Sequence, residues 1–145
     1  MLSFSKMNLD DLNSISTILQ SDFDDFWNEN ILKSELENEN SYYITAKEND
    51  DIVGFGGLWK SIDDIHITNI VTKKTMRKKG IGKLLLAKLI EITKQENKDE
   101  ISLEVNEINE PAISLYSSFG FEILGRRKKY YNRENDAIIM TKKLV

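Results

Sequence analysis

The sequence predicts an α/β fold, a single domain in which one mixed sheet is flanked by helices. Three observations carry this. The chain has 145 residues, 40% of them apolar and 30% charged, enough for one hydrophobic core. Its first half mixes amphipathic helical stretches with strands joined by tight Asn/Asp turns, which must run antiparallel. Its second half alternates strand–helix–strand–helix–strand, the pattern that makes parallel neighbours through crossovers. No repeat, low-complexity tract or linker interrupts the order, so residues 1–145 form one domain.

Asn8 predicts a helix cap, with Asp10 and Asp11 in the first turn and Leu12, Ile15 and Leu19 on one face. A second short helix is expected from Asn28 to Leu36, where Ile31, Leu32 and Leu36 recur at helical spacing. Tyr42 to Ala46 reads as a strand, and Asn49-Asp50-Asp51 turns it into the next, Ile52 to Trp59. Asp63-Asp64 marks another turn before a long strand, His66 to Thr72. After an aperiodic stretch, Leu84, Leu85, Leu86, Leu89, Ile90 and Ile92 form the strongest helical stripe in the chain. Ile101 to Val105 is a strand. Asn109 then caps a helix with Glu110 and Pro111 in its first turn, and Gly120 sits where a left-handed end residue belongs. Phe121 to Leu124 and Ala137 to Lys142 are expected to close the sheet.

Composition narrows the function. There is no cysteine, hence no disulfide and no thiolate, and the single histidine, His66, makes a multi-histidine metal site impossible. No stretch of about 18 apolar residues offers a membrane span, and no apolar run of signal length opens the chain, so a cytoplasmic protein is expected. Charge is split. Residues 1–60 carry 4 Lys/Arg against 12 Asp/Glu, residues 61–145 carry 16 against 12. That argues against a uniformly basic nucleic-acid face and suits a polyanionic ligand on the second half and a cationic one on the first. Solvated surface charge explains the split equally well.

The most informative segment is Arg77-Lys78-Lys79-Gly80-Ile81-Gly82-Lys83, between a strand and the strong helix. Amides at a helix start are unpaired and carry partial positive charge, so they attract phosphate. The glycines allow close approach, and Lys78, Lys79 and Lys83 add full charges. It matches neither the Walker A loop nor the dinucleotide fingerprint. On its own it is either a pyrophosphate cradle or a glycine turn with solvated lysines.

The same loop fits Gln/Arg-x-x-Gly-x-Gly/Ala, and here the chain resembles the GNAT acetyltransferase superfamily. The likeness continues through Leu103-Glu104-Val105, Asn109, Ala112 to Tyr116, Phe119-Gly120-Phe121, Arg126 to Tyr131 and Asp136 to Met140. Within the superfamily this set resembles the RimI group, the ribosomal-protein-alanine N-acetyltransferases. The resemblance implies a GNAT domain that uses acetyl-CoA, no metal, and a protein or peptide N-terminus, a ribosomal protein's among them, as acceptor, with no membrane or direct nucleic-acid partner. It implies that the backbone of Ile70, Val71 and Thr72 pairs with pantetheine. The amides from Lys78 through Lys79, Gly80, Ile81 and Gly82 to Lys83 would hold the pyrophosphate, and Asn109 would touch CoA. It assigns Glu104 as general base and Tyr116 as general acid. The residues agree with those roles: Glu104 lies in an apolar strand, where partial burial would make a carboxyl less acidic, and a phenol can protonate a departing thiolate. Without the surrounding motifs, Glu104 reads as an outward strand residue and Tyr116 as a core aromatic.

Other residues allow two readings. His66 with Asp63 and Asp64 is a second base or a turn before an ordinary strand. Asp22, Asp24 and Asp25 attract a cationic peptide or merely face solvent. Phe26-Trp27 lines a groove or anchors the core. The run Arg126 to Lys129 with Tyr130-Tyr131 is an RNA surface or a hairpin beside a peptide groove, and the second is preferred. Rival functions are acetylation of small amines such as polyamines or aminoglycosides, and a silent acetyl-CoA-binding module.

Overall fold

The computed structural model describes residues 2–23, 29–131 and 134–144. Seven strands form one sheet, β1 (Leu2–Lys6), β2 (Ser41–Glu48), β3 (Asp51–Lys60), β4 (Ile65–Thr72), β5 (Glu100–Asn106), β6 (Glu122–Tyr131) and β7 (Asn135–Lys143). Their spatial order is β1-β2-β3-β4-β5-β7-β6. Neighbours are antiparallel except β4 and β5, which run parallel among the described residues. The expected mixed sheet is present. β1 was not expected, being only five residues long. β6 also runs further than expected, through the basic run.

Local chemistry explains the joints. Asn49 and Asp50 both have positive φ, 51° and 75°, the pattern of a two-residue type I′ hairpin turn between Glu48 and Asp51. Helix α1 (Leu9–Ile15) opens with a reciprocal box: Asn8 Oδ1 accepts from the Asp11 amide at 2.9 Å and the Asp11 carboxylate accepts from the Asn8 amide at 3.0 Å. The single helix expected to reach Leu19 breaks after Ile15 and restarts as α2 (Leu19–Asp22). Ser14 and Ser16 donate to the carbonyls of Asp11 and Asn13, and Ile18 bonds back only three residues to Ile15, which tightens the chain into a turn. Helix α3 (Glu29–Glu37) is the second short helix; its expected first residue, Asn28, lies outside the described residues.

Helix α4 (Ile81–Gln95) buries Ile81, Leu85, Leu86, Leu89, Ile90 and Thr93. It can lie close because β3 offers Gly54, where an added Cβ would sit 3.0 Å from Ile81 and 3.1 Å from Leu85. Helix α5 (Glu110–Ser118) joins it on the same side, and Ala112, Ile113, Leu115, Tyr116 and Phe119 pack on the same core as Leu103, Val105 and Met140. The other face of the sheet is covered by α1–α3, with Leu12, Ile15, Leu19, Phe23 and Leu32 packed on Tyr43, Phe55 and Val71. Gly120 ends α5 at φ 92°, as its position predicts.

Candidate active site

The sheet opens at its parallel pair. β4 and β5 are in register only at His66–Ser102 and Ile67–Leu103. β4 then follows β3, aligned from Asn69–Gly57 to Thr72–Gly54, while β5 follows β7 along its whole length. A bulge at Thr68, skipped between the Ile67–Leu58 and Asn69–Gly57 pairs, turns β4 away. A wedge is left between Thr68–Thr72 and Glu104–Asn106, where no strand pairing joins β4 to β5 among the described residues. Ile70, Val71 and Thr72 all lie along this wedge.

The loop from β4 to α4 stands at its mouth. After a 3-10 turn at Lys74–Met76, Lys78 takes φ 64° and Gly80 φ 82°, both left-handed. α4 starts at Ile81 with no side-chain cap on Gly80, which leaves its first-turn amides to an outside acceptor. A Cβ on Gly80 would meet nothing within 4 Å, so its backbone angle rather than crowding selects glycine. A Cβ on Gly82 would lie 3.9 Å from Thr72 Oγ1 and 4.0 Å from Leu115, so loop, strand end and α5 converge here. Lys78, Lys79 and Lys83 are exposed around it. An uncapped helix start, flexible glycines and three cations fit a diphosphate, and the wedge behind them fits an extended amide-bearing chain.

Glu104 is the first β5 residue past the last β4 pair. Leu103 and Val105 enter the core beneath α4 and α5, so strand alternation turns Glu104 to the opposite face. There its Oε1 accepts from Arg127 Nη2 on β6 at 2.7 Å, with side-chain exposures of 31% and 56%. The Glu104 side chain is thus partly covered on this face, while its apolar neighbours Leu103 and Val105 point the other way. Tyr116 is half-buried on α5, its ring 5.8 Å from that of Phe121 in an edge contact. The two expected proton carriers thus stand on opposite faces of the opened sheet. Asn109 Oδ1 accepts from the Ala112 amide at 3.3 Å and caps α5.

Beside the bulge is a polar group that sequence reasoning missed. Tyr43, only 2% exposed, lays its ring across Gly57, where an added Cβ would fall 2.3 Å from Cζ. Its hydroxyl is 3.0 Å from Thr68 Oγ1 and accepts from Asn69 Nδ2 at 3.2 Å. Burial pushes the phenol up to about 12, against the pull of the Thr68 bond and with help from the Glu35 charge. Asn69 Oδ1 is shielded from water and has no hydrogen-bond partner among the described residues. These contacts join residues 25 and 26 positions apart, which local pattern cannot reveal.

The weaker candidates separate. His66, Asp63 and Asp64 are exposed, with Ser61 closing the turn through hydrogen bonds to Asp64. Asp22 ends α2, whereas Asp24, Asp25, Phe26 and Trp27 lie outside the described residues. Arg126 on β6 bonds Asp136 on β7 and Glu107 just past β5, each at 3.3 Å. The backbone of Tyr130 and Tyr131 belongs to β6, but their side chains lie outside the described residues.

A sheet parted at its parallel pair, with an uncapped helix start at the mouth, is the framework of an acyl-CoA-dependent N-acetyltransferase. The chain belongs to the acetyltransferase (GNAT) family, whose model matches residues 12–121. That family uses acetyl-CoA, and the chain is RimI-like within it. It is 35% identical over 136 residues to a Bacillus subtilis (strain 168) protein provisionally named ribosomal protein bS18-alanine N-acetyltransferase, covering 92% of this chain and 90% of the relative. The Haemophilus influenzae (strain Rd) enzyme of that name is 36% identical over 121 residues, covering 79% of this chain and 80% of the other. The crystal structure of the ribosomal-protein-S18-alanine N-acetyltransferase from Escherichia coli superposes with a TM-score of 0.89 at 27% identity, covering 99% of this chain and 94% of that one.

Proposed function

We propose that this protein transfers acetyl from acetyl-CoA to the N-terminal α-amine of a protein, the N-terminal alanine of the small-subunit ribosomal protein bS18. The names of the Bacillus and Haemophilus relatives support this acceptor, since both align with most of the chain. The observation that carries the chemistry is the wedge between β4 and β5 with Glu104 and Tyr116 on its two faces.

Acetyl-CoA supplies an activated thioester. The loop from Lys78 to Lys83 binds its diphosphate, the edges of Ile70, Val71 and Thr72 bind pantetheine, and Asn109 touches CoA. An ammonium has no lone pair, so Glu104, on the acceptor's face, takes its proton directly or through a water. The new N–C bond forms as the C–S bond breaks, Tyr116, on the cosubstrate's face, gives its proton to the leaving sulfur, and the second proton shed by the acylated nitrogen restores the phenol. The acceptor ammonium enters where Arg127 now meets Glu104, and the acidic first half of the chain favours such a cation.

The test is release of free CoA with a short alanine-starting peptide, spermine or an aminoglycoside as acceptor. Turnover with the peptide and not with the others is expected, together with loss of one ribosomal N-terminal acetyl mark from cells lacking the gene. Turnover with the small amines alone would overturn the acceptor, and no turnover with any amine would leave a binding module.

A further inference from the structure

Glu104 removes a proton from the acceptor but does not by itself hold the amine once it is neutral. A second, untitratable acceptor on the same face would do so. The sheet carries one. Asn69 is two residues beyond Ile67, the last β4 residue aligned with β5, and Glu104 is one residue beyond that partner, Leu103. Both flank the point where the strands part. Both lie on the sheet face turned away from α4: Glu104 by alternation, Asn69 by its bond to Tyr43 of the opposite core.

We propose that Asn69 Oδ1, shielded in the structure as it stands, is uncovered as the acceptor seats and receives an N–H of its amino group, and that Tyr43 is the positioning residue that fixes it. This rests on the proposed function. Among the described residues that oxygen has no hydrogen-bond partner, and a shielded carbonyl oxygen so left is costly unless something supplies a donor. Its Nδ2 is held by the Tyr43 hydroxyl at 3.2 Å, which leaves Oδ1 on the other side of the amide from that partner. That hydroxyl is itself tied to Thr68 of the bulge, and the ring reaches it only because Gly57 has no side chain. A neutral phenol at every physiological pH keeps the arrangement constant while Glu104 exchanges protons. Glu104 and Asn69 then divide the work. The carboxylate takes one proton, and the carboxamide keeps a hydrogen bond to the amine before and after that transfer.

The test compares two ligands on the enzyme–CoA complex, where no turnover occurs. One is the alanine-starting peptide, the other its des-amino analogue with a propionyl group in place of alanine. The ratio of their dissociation constants reports what the amine contributes. Asn69→Leu is expected to shrink that ratio about tenfold, the weight of one hydrogen bond to a charged group, with acetyl-CoA affinity unchanged. Tyr43→Phe keeps the ring and should shrink it about threefold, since the amide is then free to turn. Asn69→Ala replaces the leucine variant if that does not fold. An unaltered ratio in the Asn69 variant overturns the proposal. Wild-type enzyme that ignores the peptide but acetylates another amine overturns the acceptor instead, and the same ratio is then measured with that amine and its des-amino analogue.

Discussion

Gly57→Ala tests the packing that sets the Tyr43 hydroxyl beside the bulge. The added carbon would lie 2.3 Å from Cζ and 2.5 Å from each Cε of Tyr43. Carbon atoms rest at about 3.5–4.0 Å, so the ring must retreat by more than an ångström. It has little room, being 2% exposed in the core with Leu32, Phe55 and Val71. Overpacking of this kind costs about 1–3 kcal/mol. The hydroxyl's bonds to Thr68 and Asn69 would go with it, at about 1 kcal/mol each. A loss of about 3–5 kcal/mol is expected, a large share of a domain's stability. Urea unfolding followed by circular dichroism reads it as a midpoint lowered by about 1–2 M at unchanged slope. Made in a Tyr43→Ala background, the same change should cost under about 1 kcal/mol, because the ring it strikes is gone. Equal cost in both backgrounds would show that the ring is not the cause.

Glu104→Gln should leave acetyl-CoA affinity intact and cut turnover most below about pH 8, where an α-amine is mainly protonated; a wild-type pH–rate profile would remove the base. Tyr116→Phe keeps the edge contact with Phe121 and should lower kcat at saturating acetyl-CoA, a loss that an unchanged kcat would refute. Gly80→Ala adds a methyl to open space but forces φ 82° on a residue with a side chain, at about 1–2 kcal/mol. Its acetyl-CoA dissociation constant should rise at least several-fold by calorimetry, while Gly125→Ala, equally open and without that backbone angle, should behave as wild type. Tyr43 titrates near 10 when unfolded and about 12 when folded. Its contribution is therefore whole below pH 10 and is lost as pH rises towards 12, by about 2–3 kcal/mol in all. Tyr43→Phe should remove that alkaline decline, and an unchanged slope in urea melts across pH 9.5–11.5 would count against the raised phenol.

What could be seen in advance was what neighbours in sequence determine. Leu85, Leu86, Leu89 and Ile90 announce α4, and the glycines before them announce the loop, because both rest on spacing along one segment. The turn at Asn49-Asp50 and the left-handed Gly120 are equally local. β1 escaped because five residues alternate too briefly to stand out, and α1 was overextended because serine hydroxyls competed for its carbonyls. The face that Glu104 occupies follows from alternation with Ile101, Leu103 and Val105, whereas its Arg127 partner depends on where β6 falls in the sheet. The Tyr43–Asn69 pairing is not legible at all, since it depends on register between β2, β3 and β4.

A sheet that parts in the middle acts as a partition with a slot. If base and acid work from its two sides, the nucleotide end and the polypeptide end never compete for the same doorway. A bulky acceptor can remain seated while spent CoA is exchanged behind it. Both reactants must then be aboard together, and no acetylated enzyme need form between them. Product-inhibition patterns should accordingly be those of a ternary complex, with CoA competing only against acetyl-CoA.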